Sequence, residues 1–147
     1  MGEYDRVVVL VWRGSPTRRR LEHAVEDFAA IAQRTPGPLS LLAVIEERSP
    51  PPSLADLAYS ATAFDRFAGI LVASIAVLEE RHATSALLDA VAWVQSRRRR
   101  PTATKFCVDV GEAATWLSPR HPHVDPDPIF RTGLAAAVEQ IRATLPG

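Results

Sequence analysis

The run Val7-Val8-Val9-Leu10-Val11-Trp12 constrains the fold more than any other stretch of the chain. It is apolar without interruption and rich in β-branched residues, so it reads as a strand whose two faces are both buried. Such strands belong to parallel sheets covered on both sides. Three similar runs follow: Leu39–Ile45 (LSLLAVI), Gly69–Leu78 (GILVASIAVL), read as the most central strand, and Ala103 to about Val108.

Helical patterns separate them. Ser15-Pro16 reads as an N-cap followed by a first-turn proline, and Leu21, Val25, Phe28, Ala29 and Ala32 then make one amphipathic stripe. Ser53 with Asp56 is a capping pair for a helix over about 54–67. Thr84 or Ser85 caps a third helix, with Leu87, Leu88, Val91 and Val94 on one face and Arg97–Arg100 at its end. A short helix ends near Leu117. Beyond the loop His121–Pro128, Asp127 reads as the cap and Pro128 as the first residue of a last helix striped by Phe130, Leu134, Ala137, Val138, Ile141 and Leu145. Four strands alternating with five helices predict an α/β fold, a mostly parallel four-stranded sheet covered by helices, within a single domain over 1–147. The last stripe is expected to pack on the chain's own core or across a homodimer.

Composition narrows the function classes. Seventeen basic and seventeen acidic residues cancel, so no global field recruits nucleic acid or an acidic membrane. One cysteine excludes a disulfide framework or a multi-cysteine metal site within one chain. No apolar run is long enough to span a membrane and no signal peptide opens the chain, which points to a soluble cytoplasmic domain. Lys105 is the only lysine among the seventeen basic residues, a bias towards arginine that weakens any argument from arginine runs alone.

At the fourth strand, Phe106-Cys107-Val108-Asp109-Val110-Gly111-Glu112-Ala113-Ala114-Thr115-Trp116-Leu117 has the form F-x-x-x-x-x-E-A-x-x-W-L. With Gly14 and Thr17 after the first strand and Asp65-Arg66-Phe67 before the third, this resembles the SpoIIAA-like (STAS-like) bacterial family over about residues 6–118, leaving 119–147 as an addition. The resemblance implies a small non-catalytic regulatory domain, with relatives that bind a partner kinase and are switched by serine phosphorylation. It also implies kinship with CRAL-TRIO lipid-binding domains, so a carrier of a small apolar ligand is the alternative. The switch serine of those relatives lies in Asp-Ser-Ser-Gly. The matching place here reads His82-Ala83-Thr84-Ser85-Ala86, which leaves Thr84 and Ser85 as candidate phosphoacceptors without the flanking Asp and Gly.

Several chemistries lack their residues. There is no Gly-x-Gly-x-x-Gly, no Walker-type Gly-Lys-Ser/Thr and no Gly-x-Ser-x-Gly elbow. Cys107 lies within a strand pattern and reads as a small buried hydrophobe. His121, His123, Asp125 and Asp127 are metal-ligand types, but alternated with prolines they read as a rigid connector, and no metal is assigned.

Arg18-Arg19-Arg20 breaks a rule, because three cations oppose the positive end of the helix they open. With Arg13 and Ser15 they form a candidate site for an anion or an acidic partner group. Glu46, Glu47, Glu79 and Glu80 lie at the carboxyl ends of two strands, the edge where open α/β sheets bind ligands. Paired carboxylates there allow an acid/base enzyme as a further alternative. The expectation is a non-catalytic protein-interaction module without cofactor, whose partner-facing residues are Arg13, Ser15, Arg18, Arg19, Arg20, Glu79, Glu80 and His82.

Overall fold

A computed structural model of the chain describes residues 1–14, 16–50, 53–79, 89, 92–93 and 102–147. Five strands form one sheet in the order β1 (Gly2–Tyr4), β2 (Val7–Trp12), β3 (Leu39–Ile45), β4 (Leu71–Leu78) and β5 (Ala103–Cys107). β2 to β5 run parallel, and β1 pairs antiparallel with β2. Among the described residues the helices are α1 (Arg18–Arg34), α2 (Leu54–Ala63), α3 (Val110–Leu117) and α4 (Asp127–Thr144), with a short 3-10 turn over Asp65–Phe67. The helix expected from Thr84 or Ser85 to Arg100 falls largely outside them.

The expected four strands are therefore five. β1 escaped notice because it has three residues and because its turn to β2 contains no glycine. Asp5 and Arg6 occupy that turn with φ of 43° and 65°, the conformation of a tight hairpin normally given to Asn or Gly. β3, not β4, is the middle strand of the five. Gly69 and Ile70 belong to the turn before β4 rather than to the strand, and the helix over 54–67 breaks at Phe64 into α2 and the 3-10 turn.

Two helix starts also move by a residue or two. α1 begins after Thr17, whose extended ψ of 157° makes it the cap in place of Ser15, and Leu21 N–H donates to the Thr17 carbonyl. α4 begins at Asp127, because the Pro126 carbonyl already accepts from Phe130 N–H. Pro128 stays within the first turn, where a missing N–H breaks no bond.

The sheet divides the core in two. Val8, Leu10 and Trp12 point to the face covered by α1 and the α2 region, with Leu21, Val25, Phe28, Ile31 and Phe64. Val7, Val9 and Val11 point to the other face, with Ala113, Leu117, Phe130, Leu134 and Val138 of α3 and α4. That alternation explains why all six residues of β2 are apolar and buried. The connections β2–α1–β3 and β3–α2–β4 both cross the same face of the sheet, where α1 and the α2 region pack together. The second face is left for the C-terminal helices, so the residues after β5 complete the core.

α4 fits against β1 by close backbone approach. A Cβ at Gly133 would lie 1.9 Å from Tyr4 Oη, and one at Gly2 would lie 2.8 Å from Ile141 Cδ1. Gly133 costs helix propensity of about 1 kcal/mol, and in return the Tyr4 ring passes over the helix towards Asp125.

Candidate functional site

The carboxyl ends of β2, β3 and β4 are neighbours, and this places Arg13, Glu46 and Glu79 together. Arg13 Nε donates to Glu46 Oε2 at 2.7 Å and Arg13 Nη2 to Glu46 Oε1 at 3.1 Å, a forked pair. Arg13 Nη1 reaches the chain end, donating to the Leu145 and Pro146 carbonyls at 3.1 and 3.2 Å. From α4, Arg142 pairs with Glu79 and Glu139 and brings Nε to 3.4 Å from Glu46 Oε1. Glu79 Oε2 also accepts the Glu47 N–H at 2.9 Å. The Glu46 side chain is 9% exposed, so this charge is buried and matched. The carboxylate beside it holds the Arg13 guanidinium above its ordinary pKa through their hydrogen bond. The acidic edge thus ties the C-terminal segment across three strand ends.

The turn after β2 supports this arrangement. Gly14 has φ of 97°, its N–H donates to Ser49 Oγ at 3.1 Å, and Ser49 Oγ donates to the Trp12 carbonyl at 2.8 Å. The three arginines of α1 then part company. Arg20 turns back, donating to the Arg13 carbonyl and stacking over Trp12 at 5.2 Å. Arg18 lies over the Tyr59 ring of α2 at 4.8 Å and pairs with Glu22 at 3.2 Å, while its side chain stays 72% exposed. Arg19 is exposed on the same turn. Consecutive helical side chains point about 100° apart, so no single small anion touches all three. Arg18 instead presents its cation beside α2, and Arg19 presents its own to solvent.

Of the other residues singled out in the sequence, Ser15, Glu80, His82, Thr84, Ser85 and Arg97–Arg100 lie outside the described residues. Glu47 is exposed. Cys107 is buried, and burial pushes its thiol up to about 11. Asp109 caps α3 by accepting Glu112 N–H, and Glu112 pairs with Lys105 at 3.2 Å. Ala113 and Leu117 are buried in the core, and Arg120 stacks on Trp116 at 4.5 Å. Within the Glu-Ala-x-x-Trp-Leu motif, Ala113 and Leu117 are core residues and Trp116 packs against the core, whereas Glu112 is exposed in its ion pair, and Ala114 at a variable position is buried as well.

At the opposite end of the strands a second cluster forms around His121, which is 4% exposed. His121 Nε2 sits 2.6 Å from the Asp5 carbonyl and Nδ1 2.8 Å from Ser40 Oγ. A carbonyl only accepts, so Nε2 carries the proton and Nδ1 accepts from the Ser40 hydroxyl. Burial lowers the His121 pKa; the Asp5 carbonyl bond and carboxylate act in the opposite sense, and His123 and Arg6 add to the lowering. The Asp5 carboxylate accepts the Val124 N–H at 3.0 Å and the Asp125 N–H at 3.3 Å. Arg6 donates to the Pro36 and Pro38 carbonyls.

His123 stacks on Phe130 at 4.5 Å, bonds the Asp125 carbonyl through Nδ1 and approaches Ser118 Oγ at 3.2 Å. Asp127 accepts from Ser118 and pairs with Arg131 at 2.9 Å. The Ser118 hydroxyl bond holds the Asp127 carboxyl below its ordinary value, with Arg131 acting in the same direction. Both histidines are thus committed to hydrogen bonds within the loop and its neighbours. Among the described residues no group of three His, Cys, Asp or Glu is placed to hold a metal ion. No described helix is long and apolar enough to cross a membrane.

Sequence reasoning missed Arg142, Ser40 and the Asp5–Arg6 turn. Their long-range partners lie 30 to 120 residues away in the chain, and no local pattern marks such pairings. Comparison with protein-family models, with curated proteins and with solved structures returns no match for the chain.

Proposed function

We propose that the chain is a non-catalytic protein-interaction module of the STAS-like kind, and that its partner presents an acidic segment to the start of α1. The observation that carries this reading is the contrast between the two charged groups at the carboxyl edge. Glu46 and Glu79 are consumed in ion pairs with Arg13 and Arg142, which leaves them a structural task rather than acid/base work. Arg18 and Arg19, a few residues away, face solvent, and Arg18 is propped on an aromatic ring. A guanidinium held in place loses less entropy on meeting a carboxylate than a waving one. The small α/β domain and the Glu112-Ala113-x-x-Trp116-Leu117 ending support the STAS-like assignment.

The test is capture of partners from the protein's own host with three baits: wild type, Arg19→Glu and Ser85→Asp. The reading expects a protein recovered by wild type and lost with Arg19→Glu. Ser85→Asp, at the place that matches the relatives' switch serine, is expected to change that recovery. Equal recovery of the same proteins by all three baits would contradict it. A retained lipid mass in native mass spectrometry would favour the carrier alternative instead.

A further inference from the structure

We propose that His121 is a proton-sensitive pin that holds the loop 121–125 onto the β1–β2 turn, and that protonating its imidazole releases this loop while α4 stays docked. The geometry has two parts, a strained turn and the latch that restrains it.

The strained part is the turn. Asp5 and Arg6 are both non-glycine residues with positive φ, at 43° and 65°. Such backbone conformations persist when the surroundings over-determine them. Here three restraints do so. His121 Nε2–H donates to the Asp5 carbonyl, the Asp5 carboxylate accepts the amides of Val124 and Asp125, and Arg6 is tied to Pro36 and Pro38. Gly37 serves the last of these, since a Cβ there would lie 2.6 Å from Arg6 Nη2.

The sensitive part is His121. Its Nδ1 accepts from Ser40 Oγ, a residue with no solvent exposure on β3. Protonation turns Nδ1 into a donor, so the Ser40 hydroxyl must swing its own proton to another acceptor in the interior. It also places a charge in a site with little water. Every charged or titratable group facing the ring from the described elements enters the balance. The Asp5 carboxylate favours the imidazolium, while Arg6 from the turn and His123 from the loop disfavour it. Tyr4 and Asp125 bond to each other beside the site, and Phe130 of α4 stacks on the ring at 5.7 Å without charge. Burial, the largest influence, disfavours the charged form. In the released loop the ring meets water and protonates at its ordinary value. Proton binding therefore drives release as pH falls below about 6.5, by up to about tenfold in population per pH unit.

The helix stays because its hold is different in kind. Phe130, Leu134 and Val138 have no solvent exposure and lie in the apolar core, indifferent to the proton.

The experiment is an NMR titration of the full chain from pH 7.5 to 5.5, above the range in which ordinary carboxylates titrate. It follows the His121 ring signals and the backbone amides of Val124, Asp125, Leu134 and Val138. The proposal expects the Val124 and Asp125 amides to move towards unstructured values with the His121 midpoint, while Leu134 and Val138 hold still. In His121→Gln, which retains an Nε2 donor and does not titrate, the two loop amides should be invariant. In His123→Gln they should still respond, with the midpoint following that of His121, because His123 only adds to the balance and is not the titrating pin. The proposal is overturned by loop amides that do not move in wild type, by a midpoint other than that of His121, or by a response that survives in His121→Gln, is lost in His123→Gln or extends equally to Leu134 and Val138. Should His121→Gln fail to fold, the wild-type midpoints decide alone.

Discussion

His121 Nδ1 and Ser40 Oγ meet at 2.8 Å across 81 residues of sequence, joining the loop after α3 to the amino end of β3. The bond forms with the imidazole neutral and its proton on Nε2. Because burial lowers the folded-state pKa of His121, the stability it contributes is fully present above about pH 6.5 and is lost as pH falls towards the folded value. Urea unfolding at pH 7.5 and 5.5 should show the stability falling, by no more than about 1.4 kcal/mol per pH unit from this group. His121→Gln should flatten the dependence.

Gly133→Ala tests the approach of α4 to β1. Helix propensity alone predicts a gain of about 1 kcal/mol. A Cβ 1.9 Å from Tyr4 Oη predicts the opposite, a loss of about 1–3 kcal/mol from overpacking. In a Tyr4→Ala background the same substitution should become neutral or stabilising, and a double-mutant cycle by urea unfolding reads the difference.

The strands and their facing stripes were legible because burial on both faces leaves a continuous apolar signature. β2 is the clearest case: all six of its residues are core. The stripe Phe130, Leu134 and Val138 was legible for the same reason, and it packs on the chain's own sheet. β1 was not, since a three-residue strand has no period to read and an Asp-Arg turn carries no turn signal. At the site, the glutamates and arginines were visible as residue types. Their pairing was hidden, because Arg142 reaches Glu79 only after α4 has folded over the second face. Chemistry-bearing types show in the sequence; which of them neutralise one another is decided by the packing.

The ion-pair cluster at the carboxyl edge separates buried from exposed charge. Glu46→Ala removes a carboxylate that is 9% exposed and leaves the Arg13 guanidinium without its forked partner, while Arg142 keeps Glu79 and Glu139; it should destabilise by about 2 kcal/mol or more. Glu139→Ala removes one that is 67% exposed and should change stability by less than about 0.5 kcal/mol. Thermal unfolding of both variants checks the ordering.

Cys107 should be inert in the folded protein. With its thiol pushed up to about 11 by burial, the thiolate is a minute fraction at pH 8. A thiol reagent should label it slowly in buffer and rapidly in denaturant. Equal rates would contradict the buried placement.

The central claim is that the exposed cations at the start of α1 are the working surface. The most direct measurement is the affinity of the purified captured partner for wild type and for Arg19→Glu, compared with Glu139→Ala as a surface control. The account predicts at least about tenfold weaker binding for Arg19→Glu, equivalent to about 1.4 kcal/mol, with the wild-type affinity falling as salt is raised. Glu139→Ala should bind as wild type does. Equal affinity of Arg19→Glu and wild type at low salt would contradict it.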